Sequence, residues 1–280
     1  MTSFPELQIF QYEYFIKKSL ELNRNEYRLP ENSLKVFHDV KRKLNIMKEA
    51  TKEILIKPTT LEKQEEIIAS LFKLFNKITG KNYNKLSDQI FSLISKNISD
   101  KEKVCTTFFK VILNNSFFCS LYAKLYKGFI EISDDFEGVL KTQISNYVNN
   151  IDKIIYVSSN ENYDKYCEYI KQVDGVKNFT NFIIQCLNEN ILESIALLKL
   201  AITFQTQCLN NIDCEEKLPL NEIYISNISI ITKDSIKKIY KHEIWSSFIS
   251  NHEELKKSRG SGTNKKIYFK LLDISEQIVV

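Results

Sequence analysis

Apolar residues recur at helical spacing through nearly the whole chain. Between residues 61 and 78 they stand at Ile67, Ile68, Leu71, Phe72, Leu74, Phe75 and Ile78. At about 100° per residue these positions span roughly 160°, wider than the ~100° stripe of a helix that touches a single neighbour. Such a helix is expected to be gripped on more than one side. Two earlier helices are predicted, over 6–23 (Leu7, Phe10, Tyr14, Phe15) and 32–56 (Leu34, Phe37, Val40, Leu44, Met47, Leu55), the second bounded by Pro30 and Pro58. After a Thr79-Gly80 turn, Leu86, Ile90 and Ile94 mark another helix, with Asn82 as its cap. Further helix starts are read at Ser99-x-x-Glu102, Ser116 and Asp134-x-x-Glu137. A polar loop over 158–162 follows, then helices near 162–173, 177–188, 193–210, 219–231, 233–250 and 264–277. Ser258–Thr263, spelled SRGSGT, reads as a flexible linker within this array.

The rhythm is one of helix pairs repeating about every 40 residues. No single pair can bury its own apolar face, whereas stacked pairs can. The expected fold is all-α, a HEAT-like helical-hairpin solenoid of about five repeats over 60–280, with extra N-terminal helices in 1–58. Composition agrees: with 6 Gly and 4 Pro in 280 residues, the chain cannot supply the turns of a sheet protein.

The net charge is a mild +4, but it is unevenly spread. Ten basic residues lie between Lys233 and Lys270 against four acids, which leaves the rest of the chain slightly acidic. The basic region reads either as a solvated helical face or as a phosphate-facing patch, since Lys neutralises phosphates without sequence preference. The residues expected to meet RNA are Lys256, Lys257, Arg259, Lys265 and Lys266. Six cysteines without a C-x-x-C pair read as reduced core thiols of a cytosolic protein. The start, MTSFPELQIFQYEYF, is too polar for a signal peptide, and no apolar run approaches 18 residues. The surplus of Asn, Lys and Ile points to an AT-rich genome.

Candidate chemistry is sparse. His38, His242 and His252 are far apart and are expected at the surface. No nucleophile elbow, phosphate-cradling loop or zinc motif occurs. The pairs Asp134/Asp135 and Glu215/Glu216 sit where helix dipoles explain them. The chain is therefore expected to bind partners rather than catalyse, with no cofactor and no metal.

One resemblance adds to this. LFKLFNKITGKNYNKLSDQIFSLI resembles the first helical hairpin of the middle domain of eukaryotic translation initiation factor 4 gamma. The run Leu74-Phe75-Asn76-Lys77-Ile78-Thr79 matches the family's Ile-Leu-Asn-Lys-Leu-Thr, with Gly80 where Pro is usual and Tyr83 at an aromatic position. FFKVILNNSFFCSLYAKLYKGF is similar to the second repeat, through Phe117, Phe118, Tyr122 and Ala123. NFTNFIIQCLNENIL, NEIYISNISIIT and KKIYFKLLDI are similar to later helices, in the family's order, across 61–280. In KKIYFKLLDI, Ile267, Phe269, Leu271 and Asp273 match, while Lys266 and Tyr268 stand in place of arginines.

The resemblance implies five HEAT repeats, binding to a DEAD-box helicase of the initiation factor 4A type, and binding to mRNA. It carries the helicase contact onto Phe75, Ile78 and Tyr83; a basic family residue falls on Phe72, with Lys73 as its substitute. Phe75 and Ile78 are read both ways, as anchors and as core. Residues 6–56 match nothing in that domain and either recruit a cap-binding protein or cap the first repeat. The implied role is a cytoplasmic translation-initiation scaffold, and the divergence and composition fit a version encoded by a large DNA virus. Two alternatives stay open: an adaptor of the same fold in nonsense-mediated decay, splicing or nuclear cap binding, and a HEAT-like module that binds a protein and no RNA.

Overall fold

A computed structural model describes residues 31–52, 63–97 and 101–278. The chain forms two compact units, 1–60 and 61–280. In the first, α1 (Glu31–Lys52) is the described element, and Leu34, Val36 and Val40 are exposed along it. The helix predicted over 6–23 and the end of the one predicted over 32–56 lie outside the described residues, as does Ser99 of the capping box.

Among its described residues the second unit consists of helices and the loops between them, with no strand. Its helices are α2 (Lys63–Lys77), α3 (Tyr83–Asn97), α4 (Lys101–Asn114), α5 (Cys119–Ile132), α6 (Asp135–Ile151), α7 (Tyr163–Asn188), α8 (Ser194–Asn210), α9 (Leu218–Ile239), α10 (Trp245–Lys257) and α11 (Lys265–Ile278). They pack as a helical solenoid. α2 meets α4, α4 meets α6 and α8 meets α10, while α3–α5–α7–α9–α11 pack in series. The five pairs begin at Lys63, Lys101, Asp135, Ser194 and Trp245. The spacing is therefore uneven, and the 40-residue period holds only for the early pairs.

Two predicted breaks are absent. The helices expected at 162–173 and 177–188 are one, α7, of 26 residues. The predicted gap between them holds Gly175. Gly in a helix costs only about 1 kcal/mol relative to Ala, and burial of Val176, Phe179, Phe182 and Ile183 just beyond it outweighs that cost. Likewise α9 runs through Thr232. The Thr232 hydroxyl is 3.0 Å from the Ile228 carbonyl and 2.5 Å from Gln277 Oε1, so its polarity is satisfied inside the helix. The break falls instead at 240–244.

The Ser258–Thr263 segment is no flexible linker. The Gly262 N–H donates to the Ile212 carbonyl (2.8 Å), and the Gly262 carbonyl accepts from Asn221 Nδ2 (2.9 Å). Ser261 Oγ donates to the Asp213 carbonyl at 2.7 Å. The α10–α11 loop is thus laced to the α8–α9 loop.

Helix starts vary in how they are made. Asn162 and Asn264 are true caps, accepting from Lys165 N and Ile267 N, each at 2.9 Å. Asp134 makes no side-chain cap bond; its carbonyl accepts from Glu137 N (3.0 Å), as the Ser116 carbonyl does from Cys119 N (3.2 Å).

The core is aromatic at one end. Phe108 touches the rings of Phe75, Tyr122, Tyr126, Phe129 and Phe182. Further along, one polar thread crosses it. The Tyr147 hydroxyl lies 2.7 Å from the Val176 carbonyl and 2.8 Å from Thr180 Oγ1. Thr180 donates on to Asn227 Oδ1 (2.8 Å), and Asn227 Nδ2 donates to the Ile223 carbonyl (2.7 Å). The thread joins α6, α7 and α9. Cys105, Cys119, Cys186 and Cys208 are buried and all six cysteines are free thiols; burial pushes the Cys105 and Cys119 thiols up to about 12, so they stay protonated. No described helix is long and apolar enough to cross a membrane.

Candidate interaction surfaces

The α2–α3 hairpin carries the residues to which the resemblance assigns a helicase contact, and the fold separates them. Phe75 and Ile78 are completely buried. Phe75 lies edge to face on Phe108, ring centroids 5.1 Å apart, and its carbonyl is within 3.5 Å of the Tyr122 hydroxyl. Neither residue can meet a partner while the helix is folded, so the anchor reading fails for both and they are core. The ~160° arc did not say which of its members face outward. Phe72, one turn before Phe75, does: it is 45% exposed.

Tyr83 is half-buried and packs against the core. It is the first residue of α3 rather than part of the turn. Burial, with Glu189 and Glu131 nearby, pushes its phenol up to about 12. At neutral pH it is therefore a neutral group with an apolar ring and a polar tip. The turn before it is held by Asn82. Asn82 Oδ1 accepts from Thr79 N (2.7 Å), and Asn82 Nδ2 donates to the Lys77 carbonyl (2.8 Å). Asn82 thus braces the turn backwards instead of capping α3, and it fixes where Tyr83 emerges.

The basic region folds onto the end of α10 and the start of α11. Lys256 and Lys257 occupy the last turn of α10, where cations complement the helix dipole. Lys265 and Lys266 open α11, where the dipole disfavours them. Three of the five expected RNA contacts are already engaged. Lys256 pairs with Glu253 (2.9 Å) and Lys266 with Glu222 (2.5 Å). Arg259 donates to the carbonyls of Lys256 (2.7 Å) and Ser258 (2.8 Å), with its guanidinium 4.9 Å from the Tyr268 ring centroid. Lys257 and Lys265 are exposed and have no ion pair among the described residues. On α11, after Lys265, stand two aromatic side chains whose exposure the sequence did not reveal: Tyr268, and Phe269 at 62% exposed. A cavity of about 410 Å³ bounded by Arg259, Lys265 and Tyr268 adjoins them.

The expectation for His252 is corrected. It is buried, 1% exposed, with its ring nearly parallel to Phe248 (4°) and Nε2 2.8 Å from Ser275 Oγ. Nδ1 is buried without a partner. Desolvation, with Lys256 close by, pulls the imidazole down to about 4. His242 is half-buried against Ser194 (2.6 Å), and His38 is exposed. No cluster of three metal-ligating side chains occurs among the described residues.

Neither a protein-family model nor a curated protein matches the chain.

Proposed function

We propose that this chain is a scaffold of translation initiation in the cytoplasm. It binds a DEAD-box helicase of the initiation factor 4A type through the first helix pair, and single-stranded mRNA through the last. The observation that supports this reading most is positional. The segments resembling the initiation factor 4 gamma middle domain fall, in order, on the α2–α3 hairpin, α4–α5, α7, α9 and α11. At the first of these, Phe72 and Tyr83 offer aromatic surface. At the last, Lys265 shares α11 with the exposed Tyr268 and Phe269, and Lys257 ends α10; cations and stacking rings are the combination that single strands use. Residues 6–56 supply either a cap-binding-protein site or a cover for the first pair.

Affinity capture of the full chain from the cells that express it is the test. Recovery of an initiation helicase, with RNA-independent binding to the purified helicase, supports the proposal. Recovery of decay or splicing factors moves the chain to another RNA process. A chain starting at residue 60 that stays folded and loses only a cap-binding protein assigns that partner to 6–56; if it unfolds instead, 6–56 is a cover.

A further inference from the structure

The ends of α4 and α6 and the middle of α7 enclose an apolar groove that the scaffold reading does not use. Its deeper part, about 520 Å³, has a floor of Phe109, Tyr147, Val176 and Phe179. The Tyr147 hydroxyl is turned into the core thread, so it presents ring carbon to the groove. A second, mainly polar hollow of about 470 Å³ shares Leu113, Asn114 and Lys171 with the first and runs on past Asn115 and Ser116 to Phe117. Phe117 is 85% exposed, and at the other end Ile155, next to the lining residue Ile154, is 77% exposed. Large aromatic and aliphatic groups left bare beside a preformed apolar cleft mark a protein-binding surface.

The rim charge selects the occupant. Lys153 bonds only to the Asn150 amide oxygen (3.1 Å), and Lys171 has no ion pair among the described residues. Asp174, the one carboxylate lining either hollow, is paired with Lys177 at 3.1 Å. The groove therefore presents uncompensated positive charge above an apolar floor. We propose that it docks an acidic amphipathic helix of a partner protein, with apolar side chains in the first hollow and against Phe117, and carboxylates on Lys153 and Lys171. RNA fits less well, because two lysines give a phosphate backbone little to follow and the floor offers no hydrogen-bonding atoms to base edges. The inference is independent of the helicase and mRNA assignments.

A randomised library of 16-residue helical peptides, selected on the full chain, tests it. Selected peptides should be rich in Leu or Phe at helical spacing, with Glu or Asp beside them. Their affinity should fall by about tenfold or more in Phe117→Ala and in the double variant Lys153→Glu/Lys171→Glu. All three side chains are exposed, so thermal melts of these variants should match wild type. Peptides with Lys in place of the acids should bind the double variant better than wild type. Selection of basic or uncharged sequences, or equal binding to wild type and variants, would overturn the proposal. So would displacement of the peptides by oligouridylate that itself binds through Lys153 and Lys171.

Discussion

The ring of Phe75 sits edge to face on the ring of Phe108, centroids 5.1 Å apart, which places the last turn of α2 inside the aromatic core. Truncating either buried hairpin residue leaves a cavity that its neighbours cannot close. Phe75→Ala should cost about 3–5 kcal/mol and Ile78→Ala about 2–5 kcal/mol of unfolding free energy, read by urea denaturation. Any loss of helicase binding in these variants should track the loss of folded protein.

Tyr83 behaves differently, because part of its ring faces solvent. Tyr83→Ala should weaken helicase binding by about 1–3 kcal/mol in a titration. Its stability cost should be well below that of Phe75→Ala. Tyr83→Phe, which keeps the ring, separates the contribution of the hydroxyl. Helicase binding unchanged in Tyr83→Ala would remove the best position in the carry-over.

The engaged and free lysines should part company in RNA binding. Reversing Lys257 and Lys265 to Glu should lower affinity for oligouridylate and reduce the salt slope by about 0.7 per lost contact with a single strand. Reversing Lys256 and Lys266, already neutralised by Glu253 and Glu222, should have the smaller effect. Equal effects in a salt titration would show that the ion pairs open on binding. Phe269→Ala tests stacking, worth roughly 1–3 kcal/mol per base.

Acid should act through His252. The unfolded imidazole titrates near 6.5, whereas in the fold it is held at about 4. Between those values the unfolded chain binds the extra proton, so stability present above pH 6.5 is lost as pH falls towards 4. The loss should approach roughly 2–3 kcal/mol. His252→Gln should flatten this component, measured as the wild-type minus variant difference in urea unfolding at pH 7, 5.5 and 4.5.

Two glycines provide a contrast. A Cβ at Gly262 would overlap the Asn211 carbonyl oxygen and lie 2.8 Å from that of Ile212, backbone that cannot step aside. Gly262→Ala should cost about 1–3 kcal/mol or more. At Gly80 a Cβ meets nothing within 4 Å and φ is not positive. Gly80→Ala should be neutral or stabilising by up to about 1 kcal/mol. Paired thermal melts decide both.

The helical class and most element positions were legible because apolar spacing is a local signal. It located α2, α8 and α11 closely, and the start of α3. What escaped it was settled at a distance. The lacing of Gly262 to Asn221 joins residues 41 apart, which a Gly/Ser-rich spelling conceals. The continuity of α7 and α9 through Gly175 and Thr232 depends on what packs around them. The sense of Phe72 and Phe75 within one apolar arc depends on where α4 and α5 lie. His252 shares its polar type with His38, and only Phe248 and Ser275 make it an interior residue. The groove at Phe117 draws on three helices and has no linear signature.

The thread from Tyr147 through Thr180 to Asn227 also constrains how this chain can drift. Apolar layers tolerate exchange of one aliphatic group for another, but these three positions are coupled through shared hydrogen bonds. Replacing Thr180 with Val strands the oxygen of Asn227 in a fully buried site, whereas replacing Asn227 with Leu leaves the Thr180 hydroxyl with Tyr147 as its remaining side-chain partner. A lineage of this protein should therefore keep the trio intact or exchange it as a set. Among otherwise divergent copies, those three residues would be the most conservative signature of the array.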